Sequence, residues 1–254
     1  MSEWDEGDAR LELRLRTWAI PAALVLAFVL VSTGPGHFLL RIFFNMWVHE
    51  VGHATAAWLC GYLAFPGPWL TPVASKQSLF FELLVLAALA GGVRWSIRND
   101  RPALARALVF VAALQLGCAA LLSEPRARQL IIFMGDGGCL VFGTFLMLTV
   151  YAREGSALQR GWLRWGFLAI GAAAFADVFS LWWSARRNYD LIPFGMNEGA
   201  GLSDPSVLSD QYGWSADQLV HRYVLVGCLC LGVLALTWAL QLLRARRAVS
   251  VAAG

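Results

Sequence analysis

His49, Glu50 and His53 stand together as His49-Glu50-Val51-Gly52-His53, the pattern HExxH. On a helix, residues four apart share a face, so both imidazoles can reach one metal ion. Glu50 follows the first histidine directly and can approach a water that the metal polarises. Zinc brings the pKa of such a water towards ~7, and a carboxylate can then take its proton, which is the chemistry of amide hydrolysis. The competing reading is a pair of histidines bonded to neighbouring helices or lining a polar cavity. Ionisable groups in an apolar stretch are costly and usually functional, and two of only four histidines fall at ligand spacing around a glutamate, which favours the metal.

The elements that must position these groups are set by composition. The chain has 254 residues, 58% hydrophobic and 15% charged, where soluble domains average roughly 25% charge. So much apolar surface does not fit inside a water-soluble core, and the expected fold is an all-α, polytopic transmembrane bundle with the lipid bilayer as its solvent. Apolar length predicts about seven spans, at 17–33, 37–62, 78–93, 103–122, 130–151, 162–183 and 219–243. A 1–16 tail precedes the membrane domain of 17–243, and a 244–254 tail follows it. HExxH falls in the second span.

Two connections carry information. The stretch 63–77 holds three prolines and must be irregular. The segment 184–217 is the one long polar stretch, readable as a folded cap or as a solvated connector. Ser203 or Asp204, before Pro205, reads as a helix N-cap, and Ser215 with Gln218 as a capping box opening the last span. As a cap, the segment would bring Arg186, Arg187, Asp190, Asn197, Glu198 and Asp204 to a substrate or partner. The five cysteines lack the spacing of a disulfide framework or a zinc knuckle and read as small buried hydrophobes. No basic run interleaved with aromatics is present, so nucleic acid is not an expected partner. Twelve tryptophans gather towards span ends as an aromatic belt, and His37, His221 and Glu82 read as interfacial.

Met134-Gly135-Asp136-Gly137-Gly138 opens the fifth span. HExxH paired with a later membrane-embedded DGG resembles the site-2 protease family of intramembrane zinc metalloproteases. The resemblance covers these two stretches. It implies that His49, His53 and Asp136 bind Zn2+, that Glu50 is the general base, and that the substrate is a membrane protein. It also implies a bacterial cytoplasmic membrane with the site towards the cytosol; basic residues divide almost evenly between the two faces and do not decide orientation. The family's usual Asn-Pro before DGG is missing from IIFMGDGG. That departure keeps a second reading open, a zinc-bearing membrane protein or assembly subunit that does not cleave peptides.

Depth counting gives a separate check. The second span ends, and the fifth begins, on the same face of the membrane. His53 lies about 13 Å below that face and Asp136 about 9 Å, at 1.5 Å per helical residue. A shared metal is therefore feasible. Asp177, about 9 Å from the end of the sixth span by the same rise, is the rival third ligand or a carboxylate that orients a ligand histidine.

Overall fold

The computed structural model describes the backbone of 3–152, 156–159, 161–197 and 201–252, and the side chains of these residues apart from 3–10, 159, 197 and 245–252. Its helices are α1 (Glu3–Val31), α2 (Gly34–Leu40), α3 (Met46–Leu59), α4 (Leu79–Arg98), α5 (Pro102–Leu121), α6 (Glu124–Leu148), α7 (Leu163–Ala185), α8 (Asp204–Asp210) and α9 (Ala216–Ala252). Among the described residues, six stretches are long and apolar enough to cross a bilayer: Leu11–Val31, Leu79–Arg98, Pro102–Leu121, Glu124–Tyr151, Leu163–Ala185 and Ala216–Arg244. The chain is an all-α, multi-pass membrane protein.

The second expected span is not one regular helix. Helical backbone runs from Gly34 to Leu59, but Arg41–Asn45 forms a π turn between α2 and α3. Such a turn accommodates one extra residue and re-aims the side chains around it. The expected N-terminal tail 1–16 is helical from Glu3, and the expected C-terminal tail continues α9 to Ala252, with 253–254 outside the described residues. Charge does not end α1, because Glu12 accepts from Arg16 at 2.9 Å and from Arg164 at 3.0 Å.

The chain divides into two compact units. The first takes the chain up to Val48, Cys139–Ile192 and the chain from Ala216. Its centre is α7, whose residues Ala172–Phe179 are all buried. Small residues let helices meet closely here: a Cβ on Gly171 would lie 2.5 Å from the Gly143 carbonyl oxygen. Trp182 of α7 stacks on Tyr223 of α9 with ring centroids 4.2 Å apart.

The second unit takes His49–Gly138 and Pro193–Ser215. Here α4 and α5 form an antiparallel hairpin whose turn needs Asp100 at a φ of 52°. A core of Ala54, Ala57, Cys60, Tyr62, Ala127 and Ile131 joins the end of α3 to the start of α6. The proline-rich stretch 63–77 is tied down at both ends. Ala64 bridges Val73, Trp58 Nε1 donates to the Ala64 carbonyl at 3.0 Å, and Gln77 Nε2 donates to the Cys60 carbonyl at 3.0 Å. Its Thr71 hydroxyl donates to the Glu50 carbonyl at 3.0 Å, so the stretch is moored to the HExxH helix itself.

The segment 193–215 is packed. Met196–Asn197 and Gly201–Leu202 pair as a short antiparallel ladder ahead of α8. Of the two cap readings the structure selects Ser203, whose hydroxyl accepts from the Ser206 amide. Leu208 is fully buried, and Trp214 Nε1 donates to Gln129 Oε1 of α6 at 3.2 Å. Glu198 and the Asn197 side chain lie outside the described residues.

Candidate metal centre

Every group of the site lies in the second unit. One turn of α3 presents His49 and His53 side by side, with centroids 4.7 Å apart and rings nearly perpendicular. Close packing against α6 makes room for them. A Cβ on Gly52 would lie 1.9 Å from the Met134 carbonyl oxygen, and a Cβ on Gly135 would lie 2.6 Å from His49 Nε2 and from Asp204 Oδ2. These two glycines are spacing devices: each removes a side chain that would hold α3, α6 and α8 apart.

His49 Nε2, His53 Nε2 and Asp204 Oδ2 form a triangle with all three sides 3.1 Å. The other ring nitrogens are already committed. His53 Nδ1 lies 2.7 Å from the Ile131 carbonyl oxygen, and His49 Nδ1 lies 3.2 Å from Asp136 Oδ1. Both partners can only accept, so in the neutral imidazoles the proton belongs on Nδ1, by assignment from these partners. Each Nε2 then carries a lone pair into the triangle. Asp204 Oδ2 is buried there without a hydrogen-bond donor. With both rings neutral, three lone pairs and one negative charge meet at this spacing, and a cation among them removes their repulsion.

The dimensions suit a transition metal. Ligand atoms about 2.0–2.1 Å from a tetrahedral zinc stand roughly 3.3 Å from one another. Two nitrogens and a carboxylate oxygen are the donor set of a hydrolytic zinc site. Without a metal, burial would push the Asp204 carboxyl up, but the facing imidazoles in their protonated form, His53 foremost, outweigh it and hold the group well below the usual carboxylate range.

The candidate site residues Glu50, Asp136 and Asp177 each have a definite place. Glu50 is 4% exposed on α3, next along from His49, with its carbonyl held by Thr71. Asp136, expected as the third ligand, faces the Nδ1 edge of His49, while the carboxylate at the Nε2 triangle belongs to Asp204. A carboxylate on Nδ1 fixes the tautomer and ring plane of a histidine, the usual partner of a metal-binding imidazole on its far side.

Asp177, the rival ligand, belongs to the other unit. There its Oδ1 lies 2.8 Å from His37 Nε2, and its Oδ2 accepts from the Asn45 amide. The π turn carries Asn45 into this pairing, and His37, half exposed, reaches Asp177 from α2. Asp204 entered the sequence reading only as a cap alternative or a loop contact. No local signal set it apart, since an acidic residue in the first turn after a Ser203 cap is ordinary helix chemistry.

Comparison with protein-family models, with characterised proteins and with solved structures finds no match to this chain.

Proposed function

We propose that the protein is an intramembrane zinc metalloprotease that cuts a peptide bond in a membrane-embedded protein substrate. The observation that carries this reading is the 3.1 Å triangle of two HExxH imidazole nitrogens and a carboxylate oxygen, closed by an orphaned charge. His49 and His53 would hold the ion. Zinc bound there supplies Lewis acidity, which acidifies water and polarises an amide carbonyl. Asp136 and the Ile131 carbonyl keep the two rings in the tautomer that leaves Nε2 free. Glu50 is the general base: it takes a proton from the attacking water and returns it to the leaving amine. A membrane-spanning substrate must unwind first, because a helix hides its amides in its own hydrogen bonds. Resemblance to site-2 proteases supports a bacterial cytoplasmic membrane and a site towards the cytosol.

The second reading, a zinc-bearing membrane protein without peptidase activity, is favoured by one observation, the missing Asn-Pro before DGG. Glu50→Gln separates the two. It keeps shape and polarity but removes the base, so metal content and membrane insertion should match the wild type. Under the protease reading, the membrane proteome of Glu50→Gln cells accumulates uncleaved single-span precursors. Matching proteomes, with the variant rescuing every deletion phenotype, would reject peptidase activity.

A further inference from the structure

We infer that the third metal ligand is Asp204, carried into the site by the segment 193–215, and that Asp136 is a positioning residue that orients His49. The inference rests on the metal reading of the site and assigns the two carboxylates within it.

Three observations divide the roles. First, Asp204 Oδ2 is equidistant, at 3.1 Å, from both Nε2 atoms, so a single ion can touch all three. Asp136 Oδ1 is 3.2 Å from Nδ1, the opposite edge of the His49 ring. One imidazole cannot aim both nitrogens at one ion, so while Asp136 holds Nδ1 it is on the far side of the ring from the metal. Second, Asp204 Oδ2 is buried without a donor, whereas Asp136 has the His49 Nδ1–H. An orphaned buried carboxylate oxygen is costly, and a metal ion is what removes that cost. Third, the backbone around Asp204 is built to hold it. Ser203 takes the N-cap task, Pro205 follows in the first turn, and the Gly195 amide donates to Ser206 Oγ at 2.8 Å, locking the start of α8. Gly135 supplies the recess, since a Cβ there would strike both Asp204 Oδ2 and His49.

The assignment gives 193–215 a specific task. The segment is neither a passive cover nor a connector: it completes the coordination sphere, so metal binding and its docking are one event. A ligand set of two α3 histidines and one α8 aspartate leaves a fourth position open for water, as a hydrolytic site requires.

The test uses the full-length chain, purified, stripped of metal and reloaded with Co2+ or Zn2+. Asp204→Cys and Asp136→Cys are compared after Co2+ loading, because a thiolate bound to cobalt gives a near-ultraviolet charge-transfer band that the wild type lacks. The expected result is a band in Asp204→Cys and none in Asp136→Cys. A band only in Asp136→Cys, in both or in neither overturns the assignment. Zinc affinity supplies the second readout. Asp136→Asn, whose amide oxygen still accepts from Nδ1–H, should bind within a few-fold of wild type, and Asp136→Ala should weaken binding about 10–100-fold, as losses of orienting partners do. Asp204→Ala should exceed that loss. Zinc affinity in Asp204→Ala equal to wild type overturns the inference alone. Stoichiometric metal retained by His49→Ala or His53→Ala overturns the metal reading beneath it, so the two failures are distinguishable.

Discussion

At the scale of single residues, the least conspicuous position in the site is the most diagnostic. Gly135 bears no ligand atom, yet a methyl group there would fall 2.6 Å from His49 Nε2 and Asp204 Oδ2. Gly135→Ala should therefore lower zinc affinity about 10–100-fold, the range seen when a metal's surroundings rather than its ligands are disturbed. Competition with a chelator measures it, and an unchanged affinity would mean that the recess is not where the ion sits. How much of the site the sequence disclosed follows from how local each signal is. The pairing of His49 with His53 is a four-residue spacing on one helix, and Ser203 as a cap is a three-residue pattern, so both are legible. The approach of Asp136 to His49 is partly legible, because counting residues from a membrane face gives depth but not which edge of a ring is met. Asp204 is not legible as a ligand. It is distant in sequence from the histidines, in a polar stretch whose return to α3 depends on the Trp214–Gln129 bond and on burial of Leu208, and neither leaves a periodic trace.

At the scale of elements, the crossing of α3 and α6 within the HExxH unit decides whether the site forms. Gly52 permits it, since the Met134 carbonyl oxygen occupies the space of a Cβ at 1.9 Å. Gly52→Ala should destabilise by about 1–3 kcal/mol or more, the cost of overpacking a closed contact, and should lower metal occupancy with it. Gly117 on α5 has nothing within 4 Å, so Gly117→Ala should be neutral or slightly stabilising and serves as the control. Thermal unfolding in detergent micelles checks both; equal midpoints would refute the close crossing. Apolar length alone located the long helices, because a membrane-spanning helix is recorded in composition. It missed the π turn at Arg41–Asn45, because the extra residue answers to a partner on another helix: Asn45 turns towards Asp177. The helix continues N-terminal to the apolar span, where Glu12 pairs with Arg16 on α1 and with Arg164 on α7.

At the scale of the whole molecule, metal and fold should be thermodynamically linked. An ion that binds only the folded chain stabilises it by about 2.7 kcal/mol when present at a hundred times its dissociation constant. Chelation should accordingly lower the unfolding midpoint and speed proteolytic cutting within 193–215 ahead of the membrane helices. Cleavage rates in that segment that ignore metal would show that its docking does not depend on the ion. The unit that holds the site is also discontinuous in the chain, assembled from His49–Gly138 and Pro193–Ser215 with other helices made in between. During synthesis both histidines therefore enter the membrane long before Asp204 leaves the ribosome. A nascent chain halted at Ile192 carries the whole HExxH motif and yet cannot close the triangle. The triangle therefore closes only after all but the last membrane helix has been made, so the site is among the last features of the chain to assemble.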